Sequence, residues 1–592
     1  MFSDAYDLYS ALWIKLVKLD IQKDVGDEIL SCRTDNEIIK YVRHLLNSSK
    51  LQDSIELNGD CKNDVKAIAC RKKGNEYFHP NVKQYIKAIE RYNESIALAE
   101  TNSETLAIAY ANRSAVCFEL KEYSECLENI ELARQNGYPS RLMAKLAKRE
   151  ADCLSNLNDP SKQHPGQSKQ REVKLSYKPN PNAPHISDCL ELMENEQFGR
   201  YIVTNRNLSA GDVVIVEKPF SRLLVADLRY LNCDYCHKDS FLTLIPCRNC
   251  SVTMFCSEKC SENADKSYHR IECPIINDMY KLFTKVILMA LRTTTVAIRT
   301  FDSNLEELRL HIESIDELSL NPFQLNWNAI DPKEIYSTIH ILATNQKLRT
   351  PSDLIQRSIY AIIMSDQLCS KTELSKLCED NQSNRDLIES LIFRHAQTAP
   401  VNMHSLMYMN YCPEAYEQYQ CEFLGCGSFP ILSMINHSCA PNVVRLTVSD
   451  GAVVAFLNRP IAKGGQLFDN YGYHHCLETL QERQSGLLAQ YYFKCQCEAC
   501  RKNYALYYDL PTVKIPTKTK HPINFDELEL LRKHDMETAL KKIPQYCRFL
   551  NTFDSNYPNH ELSSVQEALL RCYQIVFSTQ SRKLKYRNLC SL

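Results

Sequence analysis

Residues 233 to 273 read CDYCHKDSFLTLIPCRNCSVTMFCSEKCSENADKSYHRIEC, and no other stretch constrains the fold so tightly. Seven cysteines and His269 fall in the order C-x2-C, C-x2-C, C-x3-C, H-x3-C. Gaps of two or three residues let both members of a pair face one ion. The ligands Cys233, Cys236, Cys247, Cys250, Cys256, Cys260, His269 and Cys273 therefore complete two tetrahedral Zn2+ sites. With every position around each ion filled by protein, no water is activated, so these metals hold structure and do no chemistry. The pairs can combine sequentially or interleave.

The rest of the chain is what such a finger must be set into. Its 592 residues, 44% hydrophobic and 24% charged, suit a globular protein of roughly three or four domains. The most apolar stretch, KLFTKVILMALRTTTVAIRTF (281 to 301), is broken by Lys285, Arg292 and Arg299. It falls short of the roughly 18 unbroken apolar residues that a membrane span needs and reads as a buried helix. The start, MFSDAYDLYSALWIKLVKLD, has neither the basic region nor the cleavage site of a secretion leader. Twenty-seven cysteines in an unsecreted chain point to reduced thiols in cytoplasm or nucleus, and to metal ligation where they cluster. A net charge of -2 supplies no field for holding nucleic acid directly.

Further along, YYFKCQCEACRKN contributes Cys495, Cys497 and Cys500, three thiolates where a tetrahedral ion wants four. Cys439, in SMINHSCAPN, has no metal-spaced neighbour and is the candidate fourth ligand, giving three Zn2+ per chain. The segments NHSCAPN (436 to 442), FDNYGYHH (468 to 475) and the C-x-C-x2-C run, in that order, resemble the SET domain and its post-SET tail. In that family the cysteine of the Asn-His-Ser-Cys segment completes the tail's zinc site. EQFGRYIVTNRNLSAGDVVIVEKPF (196 to 220) resembles the opening hairpins of a SET domain, with SAGD as the turn between two strands. A finger directly after those strands is the layout of the SET and MYND domain-containing (Smyd) protein-lysine methyltransferases, in the branch with N-terminal tetratricopeptide repeats.

That resemblance covers roughly residues 190 to 505. It implies interleaved zinc pairs, with Cys233, Cys236, Cys256 and Cys260 on one ion and Cys247, Cys250, His269 and Cys273 on the other. It also implies S-adenosylmethionine as cofactor, contacted by Gly199, Arg200, Tyr201, Asn345, Asn436, His437, Tyr471 and Phe493, with Tyr471 as the catalytic residue. Family members commonly carry Gly-x-Gly at the first strand, whereas this chain has Gly199-Arg200-Tyr201, which limits how closely backbone approaches the cofactor. His474 and His475, lacking a metal-spaced partner, read as surface residues. The methyl acceptor would be a lysine of a histone or another protein.

Residues 63 to 160 repeat a pair of helices, ACRKKGNEYF…KQYIKAIERYNESIALA and LAIAYANRSAVCFELKEYSECLENIELA, with a third begun by RLMAKLAKREADCLSNL. They resemble tetratricopeptide repeats. Arg71 and Asn75, Asn112, and Lys145 and Arg149 resemble the clamp with which such repeats grip the C-terminal carboxylate of heat-shock chaperones. The competing reading is a non-catalytic adaptor or transcriptional co-regulator that binds peptides through the finger, proline-rich ones there, and through the repeats.

The expected organisation is a multidomain α+β chain, monomeric, in cytoplasm and nucleus. An N-terminal helical segment (1–62) precedes the repeats (63–160) and a linker (161–185). The SET region follows as its first part (186–232), the finger (233–273), a helical insert (274–420), the catalytic part (421–480) and the zinc tail (481–505). C-terminal helices (520–592) end the chain. They are too few for several further repeats of about 34 residues each, which predicts an open substrate cleft.

Overall fold

The computed structural model describes residues 4–51, 55, 57, 59–158, 172–316, 320–410, 420–448, 451–512, 523, 525–533 and 535–578. Three helices open the chain: α1 (Ala5–Lys18), α2 (Gln22–Ser31) and α3 (Asp35–Ser48). A Thr34/Glu37 capping box starts α3, and its apolar face buries Ile38, Ile39, Val42, Leu45 and Leu46. The repeat region forms α4 (Asp64–Phe78), α5 (Tyr85–Leu98), α6 (Glu104–Glu119), α7 (Tyr123–Gln135) and α8 (Met143–Leu157). These make two helical hairpins and the first helix of a third. Gly74 sets the closeness of α4 to α5, because a Cβ there would lie 2.5 Å from the Tyr92 ring.

A buried polar ladder joins the repeats to the finger. Arg113 donates to Asn129 Oδ1 (2.6 Å), Asn93 Oδ1 (2.7 Å) and the Leu244 carbonyl (2.8 Å). Asn93 donates to the carbonyls of Tyr230 and Phe241, and Asn129 to that of Leu242. Helix pairs carry amide and guanidinium groups at these core positions because the finger's irregular backbone has carbonyls that need donors once buried. The finger itself holds only a short hairpin, β5 (Ile245–Pro246) with β6 (Met254–Phe255), packed against α5.

The SET region is built from short sheets. Strand β1 (Leu190–Asn195) forms a hairpin with β2 (Gly199–Thr204). Strand β3 (Val213–Glu217) lies beside β11 (Val453–Leu457), which pairs in turn with β10 (Val443–Thr447). A third sheet has β8 (Gln420–Ser428) between β4 (Ser221–Leu224) and β7 (His404–Asn410), and β9 (Asn436–His437) runs parallel to β12 (Phe468–Asp469). The strands flanking SAGD thus belong to different sheets. The loop from 207 to 212 hydrogen-bonds to Leu457 and Ile461 and carries the chain from one sheet to the next.

Helix α9 (Lys285–Thr300) is the expected buried helix. Its Arg292 is buried yet satisfied, paired with Glu272 at 2.9 Å, donating to the Arg222 carbonyl at 2.7 Å and lying 3.6 Å from the Tyr268 ring centroid. Among the described residues no helix is long and apolar enough to cross a membrane. The insert continues through α10 (Pro351–Lys371) and α11 (Gln382–Asn402). Pro400 sits in the last turn of α11 and the chain becomes extended at Met403, so β7 occupies the end of the stretch expected to be helical. After α12 (Leu480–Tyr491), the C-terminal helices α13 (Phe525–Arg532), α14 (Met536–Phe553) and α15 (His560–Phe577) cover β3, β10 and β11, with Tyr573 stacked on Phe456 at 4.1 Å.

The expected linker is only partly one. Residues 159–171 lie outside the described residues, but Ser176 N donates to the Val213 carbonyl and Tyr177 OH to Asp212. Val173 and Leu175 pack on the C-terminal cluster. Polar composition hid these anchors, because two apolar side chains and a tyrosine suffice to pin a strand edge.

Two buried histidines of the insert set an acid limit on stability. The Tyr336 hydroxyl lies 3.2 Å from His395 Nε2 and 3.3 Å from His340 Nδ1, with Arg394 and His311 as the charged and titratable neighbours. Burial first, then Arg394, pushes His395 down to about 3 and His340 well below the usual imidazole range. The unfolded chain therefore takes up protons that the fold refuses. Stability is full above about pH 6.5 and falls as pH drops from there toward the folded values, by roughly 1.4 kcal/mol per pH unit per site. The melting temperature should drop between pH 7.5 and 5.5, with a shallower drop in His395→Gln; equal slopes in the two proteins would contradict this.

Candidate active site and zinc centres

Three sets of four ligand atoms lie within 4.8 Å of one another: Cys233, Cys236, Cys256 and Cys260; Cys247, Cys250, His269 and Cys273; Cys439, Cys495, Cys497 and Cys500. The finger's pairs interleave. Sulfur separations are 3.6 Å for Cys236 and Cys256, 3.7 Å for Cys247 and Cys273, and 3.5 Å for Cys439 and Cys500. A tetrahedral ion with Zn–S of about 2.3 Å sets an edge near 3.8 Å, whereas a disulfide would need about 2.0 Å. The donor sets fit Zn2+ with no position left over. The third set ties Cys439 to a segment far downstream, and the Cys439 N–H donates to Cys497 Sγ at 3.4 Å.

Parallel pairing of β9 with β12 places Asn436-His437 beside Phe468-Asp469 and delivers Tyr471 next to them. The Tyr471 hydroxyl donates to the Ile435 carbonyl at 2.8 Å, and its N–H donates to His437 Nδ1 at 3.0 Å. Tyr491 donates its hydroxyl proton to the Tyr471 carbonyl at 3.0 Å. Burial pushes the Tyr471 phenol up, so it stays neutral, and pushes Tyr491 to about 12 and His437 down to about 4. The Tyr471 oxygen has spent its one proton on Ile435, so its lone pairs are free to accept.

The other residues named from the sequence converge on the same place. Asn436 Nδ2 donates to the Phe198 and Arg200 carbonyls at 3.1 and 3.2 Å, tying β9 to the β1–β2 turn. Gly199 has φ +59°, and a Cβ on it would meet nothing within 4 Å, so open space flanks the strand start. The Tyr201 ring lies 5.7 Å from Phe198 and that of Phe493 6.1 Å from His437. Asn345, in left-handed conformation, directs Nδ2 to the Tyr491 carbonyl at 3.5 Å. Open space, backbone groups and an aromatic ring fit a nucleoside-bearing sulfonium such as S-adenosylmethionine.

A cavity of about 1350 Å3 has Tyr471 in its wall. Its walls include Arg445, Asp469 and Tyr491 from the SET region and Leu531, His560 and Glu561 from the C-terminal helices. Of the eight residues implied as cofactor contacts, only Tyr471 lines it. The short C-terminal tail thus does wall the cleft, against the expectation of an open one, because α13 and α15 lie along it.

Several site residues escaped the sequence reading. Asp469 is buried and ion-paired with Arg445 at 2.5 Å, and burial raises its pKa against the pull of that guanidinium. Glu217 ends β3 with its carboxylate accepting N–H groups of Ile431 (2.9 Å) and Leu432 (2.8 Å), which holds the turn before Asn436. Burial lifts Glu217 to about 8 despite those two bonds. A lone acid closing the apolar run VVIVE was the available signal. His475 is fully buried, not a surface residue: Nε2 meets Tyr557 OH at 2.8 Å and Nδ1 the Ala505 carbonyl at 3.2 Å. With both nitrogens held by protein, it is a structural contact between the zinc tail and the C-terminal helices. His474 lines the cavity.

In the repeats, Asn112 donates to Asn75 Oδ1 at 2.9 Å, and Arg149 is committed to the Ala111 carbonyl and Ser114 Oγ at 3.0 and 2.8 Å. Lys145 is exposed and Arg71 half-buried.

Fold and site together define a SET domain protein, and the SET domain family matches residues 199–472. The protein-lysine N-methyltransferase SMYD4 of Danio rerio is 24% identical over 504 residues, covering 75% of this chain and 66% of that protein. Its Homo sapiens counterpart is 25% identical over 540 residues, covering 73% and 66%. The histone-lysine N-methyltransferase ASHR1 of Arabidopsis thaliana is 26% identical over 316 residues, covering 53% and 55%. The chain is thus similar to these SET-domain proteins and spans about 66% of the first relatives' length.

Proposed function

We propose that this protein is a protein-lysine N-methyltransferase that uses S-adenosylmethionine. The observation that carries the reading is that Tyr471 both bonds to His437 of the implied cofactor set and lines the cavity, its hydroxyl proton already given to Ile435. When bound, the cofactor supplies an electrophilic methyl group on a sulfonium. The chain has to present a neutral amine from the opposite side. Lysine in water titrates near 10.4, and the apolar part of the wall disfavours its ammonium form in the cavity. The Tyr471 oxygen accepts an N–H of that amine and so aims its lone pair, while the proton shed beforehand leaves to solvent through the cavity.

The relatives' names agree with this reading. Calorimetric titration of the full chain with S-adenosylmethionine, followed by transfer of labelled methyl to lysate proteins, tests it. Binding without transfer would favour the adaptor reading, to which Tyr201 in place of glycine lends its support.

The partner proposals stand beside it. A chaperone C-terminus is proposed to dock on Arg71, Asn75, Asn112, Lys145 and Arg149, supported by the Asn75–Asn112 bond and the exposed Lys145. Since Arg149 also braces α6, Lys145→Ala is the cleaner test. It should weaken an acidic peptide with a free carboxylate about tenfold, as amidating the peptide should; equal affinity in both cases would reject the clamp. Proline-rich peptides are proposed at the finger's surface away from α5, and residence in cytoplasm and nucleus is proposed as well, supported by the zinc-spaced thiols.

A further inference from the structure

We infer that the three N-terminal helices are a brace that positions the cofactor loop around Asn345. The proposal rests on the methyltransferase reading of that loop, and its observations are independent of it. Asn345 has φ +54°, the left-handed conformation that asparagine tolerates better than most residues with a side chain, and it opens the short turn that carries Gln346.

The surroundings come largely from residues that precede the repeats. Directly after Asn345, Gln346 Nε2 donates to Asp35 Oδ1 on α3 at 2.9 Å, while its Oε1 accepts from Gln397 Nε2 on α11 at 3.1 Å. Both ends of one amide are thereby fixed, one by the brace and one by the insert. Helix α2 lies against Pro351, where a Cβ on Gly26 would sit 3.3 Å from Cγ. Tyr9 of α1 meets Ser352 Oγ at 2.5 Å. Helix α3 thus touches the loop at Gln346, while α2 and α1 touch Pro351 and Ser352 in the first turn of α10, just after it.

Two further features make this more than packing. Arg43 pairs with Asp366 at 2.9 Å and with Glu389, and Lys40 pairs with Asp386 at 2.7 Å, clamping α3 onto α10 and α11. Within the loop, Arg349 donates to the Thr344 carbonyl, the Gln397 carbonyl and Tyr492 OH. Tyr492 lies between Tyr491, which receives Asn345, and Phe493. A displacement of Gln346 therefore reaches both sides of the cofactor set. A loop already held in its bound shape loses less entropy on binding, so the brace should appear as affinity.

The test uses the full chain and two readouts. S-adenosylmethionine titration should show about tenfold weaker binding for Asp35→Ala and near-normal binding for Asp35→Asn, whose Oδ1 still accepts from Gln346. Gln346→Ala should match Asp35→Ala, and the double variant should add little, as for two ends of one bond. Lys40→Ala, which removes the exposed one of the two clamps on α3 and leaves Arg43 in place, should weaken affinity far less than Asp35→Ala. Independently of cofactor, hydrogen exchange at residues 341–350 should quicken in Asp35→Ala and Gln346→Ala. Wild-type exchange in both variants overturns the brace. Faster exchange in a chain whose wild type binds no cofactor upholds the brace and removes the methyltransferase reading.

Discussion

Tyr471→Phe should abolish nearly all methyl transfer while leaving cofactor affinity within a few-fold of wild type. The ring keeps its packing against Tyr491 and His437, with centroids at 4.9 and 5.3 Å, so the fold survives. What disappears is one oxygen, which donates to Ile435 and is left to accept from the incoming amine. The lost bond to Ile435 costs about 1 kcal/mol of stability, but the lost acceptor leaves the amine free to rotate. Misorientation of a reacting group costs on the order of a hundredfold in rate. Labelled transfer in lysate, with calorimetry on the same preparations, separates the two effects. Wild-type turnover by the phenylalanine variant would remove Tyr471 from the chemistry.

Cys439→Ala should lower bound zinc from three ions per chain to two and take cofactor binding with it. His437 lies two residues before Cys439 and Phe493 two before Cys495, so the ion joins the segments that carry both rings. Three thiolates cannot close a tetrahedron, and structural zinc supplies roughly 10 kcal/mol or more of folding free energy to the segment it closes. The tail from 493 to 500 would come loose, and with it the packing of Tyr491 on Tyr471. Zinc per chain by plasma mass spectrometry, with calorimetry, reads both consequences. Three ions in the variant, or unchanged affinity with two, would show that the tail is not closed by this residue.

Local chemistry was legible along the chain. Ligand spacing in the finger and the C-x-C-x2-C run, with the lone Cys439, named the twelve side chains that the fold gathers into three sets of four, whereas the grouping of His474, His475 and Cys476 went unread. Helical periodicity located the repeats, and the charges that broke the apolar stretch of α9 gave a buried helix, with Arg292 satisfied inside. Asn436, His437 and Tyr471 stood out because short motifs carry them, and the fold brings the three together. Glu217 was missed since nothing in VVIVE says that its carboxylate will meet two N–H groups some 214 residues on. Arg445 and Asp469 were missed for the same reason, and β2 and β3 were joined as one hairpin because adjacency in sequence does not choose a sheet.

Spacing of a few residues governs which side chains can share an ion, a helix face or a turn, and it settled the finger, the repeats and the motif around Tyr471. Packing partners hundreds of residues apart are chosen by shape, buried area and the matching of lone donors to lone acceptors, none of which leaves a periodic trace. That is why the brace on Gln346, the ladder from Arg113 into the finger and the walling of the cavity by α15 came into view with the folded chain.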